Sequence, residues 1–402
     1  MMTTSSTPNH AIAHSCVPLI LATLLVCWLY PTVSRAEASA VEGLDTPVLV
    51  FKEGEAGYPY FRIPTITRSQ DGTLLAFAEG RFIRDDHGRN DIVLKRSADG
   101  GKTWGELQVI HADQSLVMVN PSPVTLDSGR ILLFYETFPH GYHARVGRHH
   151  KMMDDGFGLH TQKLLVRASD DDGKSWSKAV ELQKTSRKDK NIISSGSPAN
   201  AIQLQKGKHK GRIVLPMFLT EKINDKSRTW KNAVLYSDDM ARSWKRSAYV
   251  PVETTETGNE CLIAEIGDGH ILMNARSQKS KHRLTSISKD GGASWSPFAY
   301  SQELKNRPCN CGLVRFPVGD SASLFFSYNN SLSKRANGHI AMSKDDGTSW
   351  PINKQVIPGL FGYSQLVPCD ETTLGMIYEP FESVKEEWSI YFLRIPLEWM
   401  EK

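Results

Sequence analysis

The sequence predicts an all-β fold, a six-bladed β-propeller with five Asp-box turns, and three observations lead there. One is an eight-residue phrase, Ser-x-Asp-x-Gly-x-Thr/Ser-Trp, that occurs five times, beginning at Ser97, Ser169, Ser237, Ser288 and Ser343. Successive copies lie 51 to 72 residues apart, so the part of the chain beyond residue 40 holds about six such periods. The third observation does not depend on the boxes. Six hairpin-like units, each with a second strand that is apolar and ends in polar residues, recur with second strands at 73–78, 130–135, 212–218, 270–274, 321–327 and 373–378. Several are entered through Asp-Gly or Ser-Gly, which favour tight hairpin turns.

Each box follows an alternating or apolar run and so reads as a strand entering a turn. The Asp side chain can accept hydrogen bonds from turn amides, the Gly supplies a positive φ, and the Trp packs the turn against the neighbouring layer. Only the third copy departs, with Ala241 where the others have Gly. The sixth unit has no box, and the last strand-like run, 389–395, is expected to close the ring beside residues 48–51.

Composition excludes several classes of function. Hydrophobic residues make up 40% of the chain and aromatics 9%, enough for a substantial core. A net charge of +4 over 402 residues is too mild for a nucleic-acid partner, and no basic run is interleaved with aromatics. Residues 206–212 are locally basic but sit between two strand-like runs, as a solvated turn would.

Residues 17–30 form an apolar run that is short for a membrane span and suited to the core of a signal peptide. Ser34-Arg35-Ala36 and Ala38-Ser39-Ala40 are both acceptable cleavage sites. The division expected is therefore a signal peptide over 1–36, cut as late as 40, and one propeller domain over 41–402, secreted or periplasmic. The segment before the apolar run contains no Lys or Arg, which leaves an uncleaved anchor as the alternative. Beyond it lie Cys261, Cys309, Cys311 and Cys369, as buried thiols or as disulfides; spacing does not choose. No Cys pair has zinc-ligand spacing, and no metal or cofactor is expected. The histidines between His140 and His160 fall in an insertion-like loop, as solvated or substrate-rim residues.

Strand parity separates the two ends of such hairpins. Box turns share a face with the hairpin turns, and the residues at the open ends are a different set. Arg62 opens the first hairpin and Arg81 closes it; Glu260 and Arg276 do so for the fourth, Tyr363 and Glu379 for the sixth. Asp86 and Arg335 follow second strands on the same face. Arginines are permanently charged forks that bind carboxylate bidentately, so several converging on one point call for an anion between them. Phosphate, sulfate and carboxylate satisfy the arginines equally.

Phe61-Arg62-Ile63-Pro64, the five boxes, Asn259-Glu260-Cys261 and Gly362-Tyr363-Ser364 together resemble the exo-sialidases, the retaining sialic acid hydrolases, over about residues 51–396. The resemblance implies an arginine triad of Arg62, Arg276 and Arg335, with Arg81 also among the substrate-binding residues, an acid/base at Asp86, five residues after Arg81, and a Tyr363/Glu260 nucleophile and base. Glu379 would steady the first arginine. It implies sialylated glycoconjugates as substrates, with no obligatory protein partner. The chemistry agrees with it: a carboxylate on the anomeric carbon repels a carboxylate nucleophile but not a phenol, and sialidases are a known exception of this kind. A phenol needs a base to take its proton, and the acid/base must be partly protonated; Asp85 is the alternative for that role. Glu265 reads as a strand-face carboxylate. Ser197-Pro198-Ala199-Asn200-Ala201 and Leu262 depart from the family pattern near the funnel mouth. A related keto-deoxy-nonulosonate substrate, transfer instead of hydrolysis, and a non-catalytic glycan-binding propeller are the alternative functions.

Overall fold

A computed structural model describes residues 41–402 apart from 146, 225, 255, 319–320 and 381–386. The expected signal peptide, 1–36, lies outside the described residues, which all belong to one compact unit over 38–402. Antiparallel strands dominate, and helices are reduced to single turns such as Gln183–Ser186 and Leu397–Glu401.

The blade count is corrected by the strand pairing. Four sheets stand as separate blades of four or five strands, and the first two expected blades form one continuous eight-stranded sheet. Strands Asn90–Ser97 and Leu116–Thr125 join them through a parallel pairing of Asn90 with Val117. The propeller is therefore not six separate four-stranded blades. A repeat count registers units along the chain and is blind to hydrogen bonds made sideways between two of them. The five-stranded sheet arises at the Ser197-to-Ala201 departure. Ile192–Gly196 and Ile202–Gln203 both pair with Ile213–Asn224, as one inner strand interrupted by the proline-containing stretch. Strand Val48–Phe51 pairs with Ile390–Pro396, so the two ends of the described chain share a sheet.

Apolar faces pack between successive repeat units, as two-layer burial requires. Leu75, Phe77 and Leu94 meet Met118, Leu133 and Tyr135 in one such cluster, and Leu132, Phe134 and Leu164 meet Leu215, Met217 and Leu235 in the next.

The five repeated segments carry one hydrogen-bond network. In each, the Asp Oδ1 accepts from the backbone N–H four residues on, at 2.9 Å. Its Oδ2 accepts from the same residue's hydroxyl at 2.5–2.6 Å. The leading Ser Oγ accepts from the amide of the fifth position at 2.8–3.0 Å. That fifth residue is left-handed every time, from φ 69° at Ala241 to φ 92° at Gly292. Several of the tryptophans reach across to aromatic rings elsewhere in the fold, Trp104 to Phe392 at 5.4 Å and Trp244 to Phe134 at 5.3 Å.

Gly101 and Ala241 occupy the same position with opposite consequences. A Cβ on Gly101, at φ 90°, would lie 2.1 Å from the Phe392 ring. Gly101→Ala is expected to destabilise the fold by about 2 kcal/mol or more, through left-handed strain plus the ring displacement. Ala241→Gly removes strain the native chain already carries, offset by extra freedom in the unfolded chain, for a net gain of up to about 1 kcal/mol. Urea-denaturation midpoints of the two variants check both signs.

Candidate active site

Backbone irregularities aim the first two hairpins' functional side chains. In strand Tyr60–Arg68 the pairing slips between Arg62 and Thr65, and Ile63 sits at φ 55°, a conformation β-branched residues avoid. Pro64 follows. The second hairpin repeats the device: pairing slips between Val119 and Ser122, Asn120 lies at φ 58°, and Pro121 follows. Bulges re-aim side chains beside functional sites, and here they turn Arg62 and Asn120 into one cavity of about 390 Å³.

Register refines the expected pairing at the hairpins' open ends. Arg62 is opposite Glu79, and Arg81 is opposite Tyr60. The Arg276 amide donates to the Glu260 carbonyl at 2.8 Å and the Arg276 carbonyl accepts from the Asn259 amide at 2.9 Å, just beyond the paired Cys261 and Ala275. Tyr363 accepts from the Glu379 amide at 3.0 Å in the same manner.

The cavity brings together Arg62, Arg81, Asp86, Glu260, Arg276, Arg335 and Tyr363, and none of the five box turns lines it. Glu379 lies behind this wall, wholly buried. Its carboxylate accepts from Arg62 Nη2 at 2.6 Å and Nε at 3.2 Å, and from the amides of Ile63 and Tyr363 at 3.2 and 3.3 Å. The Tyr363 hydroxyl donates to Glu260 Oε1. Arg276 Nη1 spans the pair, donating to Glu260 Oε2 at 2.6 Å and to the phenol oxygen at 3.0 Å. Burial and the Glu260 charge push the Tyr363 phenol well above its ordinary value, against the pull of Arg276 and Arg335. The guanidinium carbons of Arg62 and Arg335 stand 5.3 and 5.2 Å from the centre of the Tyr363 ring. Arg335 donates to the Pro308 carbonyl at 3.2 Å and meets no carboxylate among the described residues.

Asp86 faces this group from the loop after strand Leu74–Arg81, its side chain 42% exposed. Arg81 Nη1 donates to Asp86 Oδ1 at 2.9 Å, while Arg81 Nε and Nη2 are held by Glu79. Arg81 thus grips the acid. Burial raises the Asp86 carboxyl, but Arg81 and Arg62 outweigh it and hold it well below the usual carboxylate range. Asp85 points elsewhere: it is exposed, is absent from the main cavity, and approaches His87 at 3.9 Å.

Several lining residues escaped the reading of the sequence. Glu79 accepts from the Asn120 amide at 2.9 Å, and Asn120 Nδ2 donates to Glu136 at 2.6 Å. Glu136 ends the second hairpin as Glu79 ends the first, so the repeat itself could have disclosed it. Gly196 leaves the room it occupies, since a Cβ there would collide with the carboxylate at 1.3 Å. Arg145, Arg228 and Trp230 come from long connections or strand extensions with no local signal. Glu265 accepts from the amides of Gln205 and Lys206 and lines a different cavity. All four cysteines are buried free thiols; Cys309 packs beneath Ile63 and Tyr363, its thiol pushed up to about 12 by burial. No group of His, Cys, Asp and Glu arranged to hold a metal ion occurs among the described residues.

Burial pushes the Glu136 carboxyl well above its ordinary value, with Glu79 and Glu260 adding to the effect against the Asn120 hydrogen bond. A raised folded-state pKa contributes stability that is complete below the unfolded value, about 4.3, and is lost as pH rises through the folded value. Glu136→Gln should therefore gain stability relative to the native chain as pH rises from about 5 to 8, with near equality at the acid end. Urea midpoints across that range measure it; a constant difference would contradict the assignment.

Residues 72–376 match the BNR repeat-like domain family. A sialidase of Micromonospora viridifaciens is 33% identical over 83% of this chain and 52% of its own length. A sialidase of Bacteroides fragilis is 28% identical over 81% of this chain and 61% of its own. The chain thus spans little more than half the length of these curated relatives. Among solved structures, a Hadza microbial sialidase superposes with a TM-score of 0.76 at 22% identity, covering 88% of this chain and 69% of the other. A leech intramolecular trans-sialidase superposes at 0.74 and 19% identity, covering 89% and 71%. Both structural likenesses speak to the fold alone. The motifs, the fold and the family match agree: this chain belongs to the sialidase/BNR-repeat family.

Proposed function

We propose that the protein is a retaining exo-α-sialidase that releases terminal α-linked sialic acids from glycoconjugates. The observation that carries this reading is the Tyr363 phenol hydrogen-bonded to Glu260 and bridged to it by Arg276. It lies in a cavity onto which Arg62 and Arg335 also face. The names of the relatives support the same substrate class. A module that only bound glycans would need the arginines but neither a phenol on a base nor an acid across from it.

In this reading Arg62, Arg276 and Arg335 hold the sugar carboxylate, and Glu379 fixes the first of them. Glu260 takes the phenol proton as the Tyr363 oxygen attacks the anomeric carbon. The high proton affinity of that phenol makes a neighbouring base necessary. Asp86 protonates the departing oxygen, then deprotonates the water that releases the sugar from tyrosine. Arg81 is better cast as the residue that orients Asp86 than as a substrate contact. Asp86 is ionised before substrate arrives. A carboxylate bound at Arg62 offsets one of the two charges that hold its affinity for protons down, so substrate binding itself prepares the acid.

Tyr363→Phe retains the ring but removes the attacking oxygen, so the fold should survive and turnover by double displacement should cease. A 2,3-difluoro sialyl analogue given to the native enzyme should leave its sugar on Tyr363, as located by mass spectrometry of a digest. Label on Glu260 or Asp86, or full turnover in the Phe variant, would contradict these roles. Arg335→Ala should lower kcat/KM by an amount equivalent to about 2–5 kcal/mol, with poor rescue by Lys, because a single ammonium does not replace the fork.

A further inference from the structure

A glycosidic oxygen protonated by Asp86 must lie against that carboxylate, so the leaving sugar extends from the clamp toward the Asp86 side. There the cavity adjoins a second recess of about 250 Å³, which shares Arg62, Asp86, His143 and Arg145 with the main pocket. Its remaining walls come from the loop holding Arg84 to His87 and from Arg148 to His150.

The recess is cationic and carries unsatisfied hydrogen-bonding groups. Arg145, about half exposed, donates to Asp86 Oδ2 at 3.3 Å. Arg148 is exposed and meets no carboxylate among the described residues. The His150 ring packs 4.6 Å from His87 and 5.3 Å from His143. Among the described residues, both ring nitrogens of His150 and Nδ1 of His143 are buried with no side-chain partner. Burial and the neighbouring arginine charge push His143 down to about 3, so that ring stays neutral. A neutral imidazole still offers one N–H donor, and the arginines supply the charge. Cations converging beside buried, unpartnered donors suit a small oxyanion held on the leaving group.

Resting on the reading of Asp86 as the acid, we propose that this recess is a subsite for a leaving sugar that carries its own anion, a carboxylate or a sulfate ester. Arg148 is its selecting charge. A second sialic acid would supply the carboxylate, and a sulfated hexose the sulfate.

The test compares kcat/KM of the full enzyme on four substrates: sialyllactose, its disialylated form, its sulfated form and an uncharged aryl sialoside. At about 20 mM salt at least one anionic substrate should exceed sialyllactose roughly fivefold, and most of that advantage should vanish near 0.3 M salt, where screening shortens to a few ångströms. The anionic substrate that gains identifies the source of the anion. Arg148→Gln should bring it down to the sialyllactose level and leave sialyllactose and the aryl sialoside within about twofold of native. Arg148→Glu should push it below that level. Equal turnover of neutral and anionic substrates, or an Arg148→Gln effect of the same size on all four, would overturn the subsite while leaving the sialidase reading intact. No turnover of any substrate, the aryl sialoside included, would overturn the sialidase reading and the subsite with it.

Discussion

Arg62, Arg81, Arg276 and Arg335 face one cavity and repel one another, and the arrangement of the site follows from how that repulsion is answered. Glu379 answers for Arg62 from wholly inside the protein, with two bonds to the guanidinium and two more from backbone amides. Glu260 answers for Arg276, and Glu79 with Asp86 for Arg81. Removing one partner of such a pair strands a buried charge, which costs more than the pair contributes. The carboxylates therefore fix where each guanidinium points. Among the described residues Arg335 meets the Pro308 carbonyl and no carboxylate, and the positive potential left over belongs in the middle of the cavity.

The same constraint ties the chemistry to the scaffold. Glu260 and Arg276 are neighbours across one hairpin, as are Tyr363 and Glu379 across another, so each charge is delivered together with a partner on a shared rigid ladder. Two carboxylates thereby acquire different surroundings. Glu136 is buried beside other acids and is driven toward its neutral form, whereas Asp86 stands between arginines and is kept ionised. Environments that push acids apart in this way are how one site holds a donor and an anion at one pH. The paired left-handed residues Ile63 and Asn120, each before a proline, store the backbone strain that this aiming requires.

Much of this was legible in the sequence because it is periodic. The box spacing announced a strand-rich repeat, and hairpin parity gathered Arg62, Glu260, Arg276, Tyr363 and Glu379 from three distant hairpins onto one face. What it misjudged was lateral. Whether Asn90 pairs with Val117, merging two expected blades into one sheet, depends on the approach of two edges and leaves no trace in a period. The role of Arg81 was similarly hidden, since a charge bound to Glu79 and Asp86 looks in sequence like one bound to substrate. Glu136 lay one residue past the strand read for it. Arg145 and Arg148 sit in a histidine-rich insertion whose composition says nothing about which wall it forms.

The central claim is that Tyr363, relieved of its proton by Glu260, attacks the sugar and is then displaced by water. Two inversions at the anomeric carbon give net retention. Proton NMR of sialyllactose hydrolysis, recorded within the first minutes before the free sugar mutarotates, measures that stereochemistry directly. The α-anomer of sialic acid should appear first and the β-anomer only later at its expense. Release of the β-anomer first would mean a single displacement by water, and would contradict the account.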